Sequence, residues 1–194
     1  WDGNNWNQIG QDIDGTITSV GDDQIGWSVS LSSDGQTVAI GAPHSDNGSG
    51  YNSQEGHASI YNYNGSAWSQ LGQNIEGEAA GDFSGATVSL SSNGNRIAIG
   101  AVGNLGDTIG YNPNGTGYYT GHVRIYDYNG TSWTQLGQDL NGESAGASFS
   151  TSLSLSNDGN TVAISAPYND NGTTGQIKIY NYNGTSWDQL GQDI

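Results

Sequence analysis

The sequence predicts an all-β repeat protein: three antiparallel four-stranded units with one extra strand ahead of them. Three observations carry this. The phrase Trp6-Asn-Gln-Ile-Gly-Gln-Asp-Ile13 returns at Trp68–Ile75, Trp133–Leu140 and Trp187–Ile194, and a phrase recurring in fixed order at long intervals marks a repeat architecture. Ahead of each of the last three copies stand the same three β-branched or aromatic runs, and no stretch sustains a helical period. Asp-Gly or Asn-Gly pairs punctuate the runs at constant spacing, as hairpin turns do.

The first run of each unit is Ser28–Ser32, Thr87–Ser91 and Ser152–Ser156. Its strict alternation predicts a strand with apolar residues in and hydroxyls out. The second run, Thr37–Ala42, Arg96–Ala101 and Thr161–Ala166, is small and apolar throughout, as suits a strand covered on both faces. The third is His57–Tyr63, His122–Tyr128 and Gln176–Tyr182, and the Trp phrase is the fourth. Asp34-Gly35, Asn93-Gly94 and Asp158-Gly159 join the first run to the second. Asn64-Gly65, Asn129-Gly130 and Asn183-Gly184 join the third to the fourth. Both joints have constant length and are expected to be tight primed hairpin turns.

The other two connections vary in length. An up-down sheet puts all constant turns at one end and all variable loops at the other, and binding faces are usually built from such loops. Four-stranded units of this kind are the blades of a β-propeller. The expected organisation is an extra outer strand over 1–13, then blades over 14–75, 76–140 and 141–194, together one repeat domain. Three blades are too few to close a ring, since propellers usually have about four to eight. The chain is therefore expected to associate with itself as a dimer, a trimer or a longer array. Trp6, Ile9, Ile13, Trp187, Leu190 and Ile194 are the expected assembly residues, and the Trp side chains are expected between blades.

Composition narrows the function. Lys and Arg number 3 against 19 Asp and Glu, a net charge of -16. That excludes nucleic-acid binding, which needs a basic footprint, and argues against anionic membrane surfaces. With no Cys in the chain, disulfides and thiolate metal sites are excluded. There is no Met either, which suggests a processed piece of a longer precursor. No apolar run is long enough for a transmembrane helix.

The unit resembles the FG-GAP repeat of integrin α-subunit propellers and related extracellular proteins. The residues that carry the likeness are Ile25-Gly26, Phe83-Ser84-Gly85 and Phe149-Ser150 before the first runs. Gly41-Ala42-Pro43, Gly100-Ala101-Val102 and Ser165-Ala166-Pro167 follow the second runs. The resemblance implies a propeller with an adhesive or protein-binding role, outside the cell or at its surface. It does not bring calcium with it. The joint where calcium-binding members carry several Asp is here Ser33–Gln36, Ser92–Asn95 and Asn157–Asn160. One carboxylate or none there is too few for the 6–8 oxygens calcium usually takes.

Candidate site residues fall on the variable loops. Tyr51, Tyr111, Tyr118, Tyr119 and Tyr168 would suit stacking on a sugar or a protein partner, because their rings bury much area at small entropic cost. Asp46, Asp107 and Asp170, with Asp22, Asp23 and Asp82 nearby, could hold a divalent cation such as calcium; turn formation is the plainer use of Asp and Asn there. No cofactor is otherwise expected. Asn-Gly-Ser/Thr triplets at Asn47, Asn64, Asn114, Asn129, Asn171 and Asn183 are formal glycosylation acceptors. His57 and His122 occupy equivalent strand starts, and no nucleophile–base–acid set is legible. The expected function is a non-enzymatic extracellular or cell-surface module with a structural, adhesive or protein-binding role. The alternatives are a glycan-binding lectin and an enzyme.

Overall fold

The computed structural model describes residues 2–15, 17–18, 21–46, 53–104, 119–144, 146–168 and 174–194. Tyr51, Tyr111, Tyr118, Asp107, Asp170, Asn47, Asn114 and Asn171 lie outside the described residues. The described residues form strands and turns, with no helix.

A two-stranded ribbon, β1 (Ile17–Thr18) and β2 (Gly21–Asp22), precedes three sheets. The first sheet holds β3 (Ser28–Leu31), β4 (Thr37–Ala42), β5 (His57–Tyr63), β6 (Trp68–Gln70) and β7 (Ile75–Glu76). The second holds β8 (Ser84–Leu90), β9 (Arg96–Ala101), β10 (His122–Tyr128), β11 (Trp133–Gln135) and β12 (Leu140–Asn141). The third holds β13 (Leu153–Leu155), β14 (Thr161–Tyr168), β15 (Thr174–Tyr182) and β16 (Trp187–Gln189). Each is an antiparallel meander in chain order. The Trp phrase is the edge strand. It splits in two, as β6 with β7 and as β11 with β12, and both pieces pair with the same third strand.

The turns between the first and second runs differ from expectation. After β3, the Ser32 N–H bonds the Thr37 carbonyl, which leaves a four-residue loop rather than a two-residue primed turn. A primed turn of type I′ needs positive φ at both central residues, but here only Gly35 has it, at 68°. The Asp34 carboxylate explains the preference: it accepts from the Ser32 hydroxyl and the Gln36 N–H and so fastens the loop locally. The turns between the third and fourth runs keep the expected two-residue loop: the Asn64, Asn129 and Asn183 N–H groups bond the Ala67, Ser132 and Ser186 carbonyls. Each side-chain oxygen accepts two N–H groups from the residues that follow, and all three stay exposed.

Both apolar cores lie between sheets. Ala39, Ala58, Ile60 and Ile75 of the first sheet meet Val88, Leu90, Ile97, Ile99 and Trp133 of the second. Ala98, Val123, Ile125 and Leu140 of the second meet Leu155, Val162, Ile164 and Trp187 of the third. The hydroxyls of the first runs do not simply face water. Ser30 Oγ accepts the Leu90 N–H at 2.9 Å, and Ser89 Oγ accepts the Leu155 N–H at 3.0 Å. The expected hydroxyl-out face is therefore a polar seam between sheets. It arises because an innermost strand has a row of backbone donors that no fifth strand satisfies. The turn tips also join. Ser33 N–H donates to Ser92 O, and Ser92 N–H donates to Asn157 O.

The Trp phrase makes the outer part of each joint. The Trp133 indole N–H donates to Leu71 O at 2.7 Å, and the Gln73 amide bonds both the carbonyl and the N–H of Trp133. Trp187 is held identically by Leu136 and Gln138. Gly72 is required between them, since a Cβ there would lie 2.9 Å from Trp133 Cδ1. The expectation that these Trp side chains pack between units is thus met at Trp133 and Trp187, both buried.

The extra N-terminal phrase covers an edge. Ile9 O accepts the Trp68 indole N–H at 3.0 Å, and Gln11 bonds both backbone groups of Trp68. Trp6–Ile13 thus does for the first sheet what Trp68–Ile75 does for the second.

Replacing Gln73 with Ala should destabilise the fold by ~1–3 kcal/mol, because Trp133 then loses partners for buried backbone groups. Gln192 is the same residue in the last copy, where the neighbouring Gly191 faces open space rather than a Trp ring, and its replacement should cost less than ~0.5 kcal/mol. Denaturant midpoints of the two variants test this contrast.

Candidate binding cleft

A cleft of about 480 Å³ opens on the variable-loop side, across all three sheets. Equivalent positions of the repeat build it. Trp27, Ala86 and Thr151 each stand just before the first run. Pro43-His44 and Val102-Gly103 follow β4 and β9. Phe83, Ser148 and Tyr119 complete the lining. Only the first unit places a large ring just before the first run; Ala86 and Thr151 leave room facing it.

The rings form a chain. Trp27 meets His44 edge-on at 5.9 Å, and His44 meets Phe83 edge-on at 5.2 Å. His44 is oriented by Gln54, whose amide nitrogen lies 3.1 Å from Nδ1. Trp27 and Tyr119 are both exposed. Gln24, Phe83 and Ser148 share a positive φ of 50–54°, which shows them to be equivalent positions. Phe149 is therefore the counterpart of Ser84 and Ile25, not of Phe83. The difference has a use: Phe149 is buried in a core, whereas Phe83 turns its ring into the cleft.

Of the sequence-predicted tyrosines, Tyr119 lines the cleft and Tyr168 stands exposed outside it. Trp27, His44 and Phe83 were not legible as site residues. The one available signal was Trp27, a lone aromatic where sister repeats carry Ala and Thr.

The acids do other work. Asp46 accepts the Gln54 N–H at 2.7 Å and so clips its own loop. Asp82 accepts the N–H groups of Glu78 and Ala79 and the Asn104 amide. Among the described residues, the cluster with metal-ligand spacing is Glu78, His122 and Asp139. It includes none of the predicted ligands, and a cation already sits in it. The Arg124 guanidinium grips Asp139 through two nitrogens, at 3.0 and 2.8 Å, and pairs with Glu78. Glu78 stands in the connection from β7 to β8, so the pairing fastens that connection to the second sheet. Lys178 repeats it with Glu143 and Asp193 one joint later. Arg96 spans the same joint, with Asp127 at 2.8 Å on its own sheet and Asn160 Oδ1 at 2.8 Å on the next. It also stacks 5.7 Å from the Tyr182 ring. All three basic residues of the chain are thus joint residues.

No protein-family model matches the chain, and no curated protein matches it. Solved structures do. One is a Bacteroides uniformis protein described as a candidate 6-phosphogluconolactonase, 14% identical at a TM-score of 0.52 over 86% of this chain and 40% of that one. Another is the β-propeller domain of the Trilobed protease from Pyrococcus furiosus, described as having an open velcro topology. It is 13% identical at a TM-score of 0.44, over 86% of this chain and 41% of that one. This chain thus spans about 40% of the length of these structures. The first likeness bears on fold alone. The three four-stranded meanders define an all-β repeat protein whose sheets have the form of propeller blades.

Burial lowers the imidazoles of His57 and His122 below their ordinary 6.5. An unfolded chain takes up these protons below about pH 6.5, and the folded chain resists. Stability should therefore be full above that pH and fall as the pH drops below it. Asp139 adds a second loss. Burial works against its charge, but the Arg124 and Gln135 hydrogen bonds outweigh this and hold its carboxyl below the ordinary 3.8. That contribution is lost as pH falls through the lowered value. Denaturation at a series of pH values should show both phases, and His122→Gln should shrink the first.

Proposed function

We propose that this chain is a non-enzymatic binding module of the β-propeller type, with a structural or adhesive role outside the cell or at its surface. It takes its ligand in the aromatic cleft. The observation that carries this reading is the cleft itself. Trp27, His44, Phe83 and Tyr119 converge from different repeats on one apolar concavity with hydroxyls at its rim. Concave, largely apolar sites with a few polar groups are where ligands bind. Its lining offers stacking surfaces and hydroxyls rather than carboxylates, which favours recognition over acid–base chemistry. The FG-GAP resemblance supports the adhesive role, and exposed Asn64, Asn129 and Asn183 would be the glycan acceptors of a secreted form.

A second reading, glycan binding, is favoured by the rings themselves, since exposed Trp and Tyr faces stack on sugar rings while a polar rim holds hydroxyls. Immobilised oligosaccharides and immobilised extracellular-matrix proteins separate the two readings. Capture by one class and not the other decides between them. In either case Trp27→Ala should weaken binding about tenfold or more, as the loss of an aromatic anchor does, without lowering the melting temperature. Undiminished binding by that variant would remove the cleft from the reading.

A further inference from the structure

The two ends of the stack carry the two halves of one joint. In the second sheet Val88 and Leu90 are 9% and 6% exposed; their counterparts in the first sheet, Val29 and Leu31, are 65% and 61% exposed. At the other end, Val123 and Leu140 are buried, whereas their counterparts Ile177 and Ile194 are exposed. The internal joints show what fits each face: Val88 and Leu90 pack against Ala58, Ile60 and Ile75. Val29 and Leu31 thus present the incoming half, and Ile177, Ile179 and Ile194 the receiving half. The polar groups match as well. Ser154 is exposed at the position where Ser30 and Ser89 each accept the N–H of the next innermost strand. Its complement is the Leu31 N–H of an incoming first sheet. Asn157 N–H likewise corresponds to the turn-tip donors Ser33 and Ser92, and its complement is Ser33 O.

One element stands in the way. In each joint the phrase of the earlier unit clasps the Trp of the later one. On an incoming first sheet that Trp is Trp68, and its seat is taken by the chain's own Ile9, Gly10 and Gln11. The last phrase, Leu190-Gly191-Gln192, would need the same place, and its Gly191 faces open space. The two competitors are held unequally. The C-terminal phrase is laddered onto β15 through Tyr180–Tyr182, and Ile177 and Ile194 exchange both backbone hydrogen bonds. Trp6–Ile13 forms no strand pairing and leaves Trp6 and Ile9 exposed.

We propose that a second copy of this chain docks head to tail across these faces, and that Trp6–Ile13 is a cap that must leave Trp68 for docking to occur. A heterologous contact of this kind closes into a ring if its rotation allows and otherwise extends.

The test uses the full chain in sedimentation. A Cβ at Gly10 would lie 2.7 Å from Trp68 Cδ1, and Gly10 itself lies in no strand, so Gly10→Val should release the cap without altering a strand pairing. Its self-association should be about tenfold or more tighter than that of the unmodified chain, since a larger fraction is competent to dock. Within Gly10→Val, Leu31→Asp spoils only the incoming face and Ile177→Asp only the receiving face. Each should be monomeric alone, and an equimolar mixture should form a heterodimer through the one intact pair of faces, which misfolded variants could not do. Association of Gly10→Val no tighter than that of the unmodified chain, either double variant assembling alone, or a mixture that stays monomeric would each overturn the proposal.

Discussion

Everything in this molecule depends on the contact between one sheet and the next. A four-stranded meander of short strands is too thin to have an interior, so its apolar residues are buried only when a neighbour covers them. Both cores lie between sheets for that reason. The contact is secured at three radii. Near the centre, serine hydroxyls and turn tips satisfy backbone donors of the next unit. Ile, Val and Leu fill the middle, and at the rim a Trp is clasped by a carbonyl, a glycine and a glutamine. The Leu, Gly and second Gln of the recurring phrase serve the unit beside it, whereas its first Gln bonds within the phrase.

The strong acidity fits the same picture. With few cations available, Arg96, Arg124 and Lys178 all sit where one sheet meets another. Arg124 and Lys178 are largely buried and hold Glu78 and Glu143, which stand in the connections leading into their own units. Losing one partner of such a pair strands a desolvated charge, which costs more than the pair contributes. In the first unit Ser59 takes this position. Several other acids fasten local backbone in turns and loops.

The cleft comes from departures within the repeat. Positions that three identical units would fill alike are filled by Trp27, Ala86 and Thr151. The large ring therefore faces space its sisters leave empty. Phe83 reaches the same space because the core position beside it is Ser84, where the third unit buries Phe149. Repetition supplies the scaffold, and a few substitutions make one concave surface on it chemically distinct.

The strand order, the edge position of the Trp phrase and the placement of all constant turns at one end were legible in the sequence, because period-2 alternation and turn residues are local signals. So was the interblade role of Trp133 and Trp187, since a large ring repeated at fixed spacing must meet the same surroundings each time. The type of turn between the first and second runs was not legible. Asp34 prefers to bond its neighbours, and that competition between side chain and backbone is settled only in three dimensions. Nor was the use of the run-one hydroxyls, whose partners lie about sixty residues away on another sheet. The cleft is the clearest case. Tyr119 was legible as a loop tyrosine, but nothing local says that Trp27, His44 and Phe83, distant in sequence, converge with it. The sequence by itself determined the repeating unit, because that unit is written in local pattern. Only the tertiary structure decided which faces meet, which are left open and where the rings converge, because those depend on stacking one unit against another.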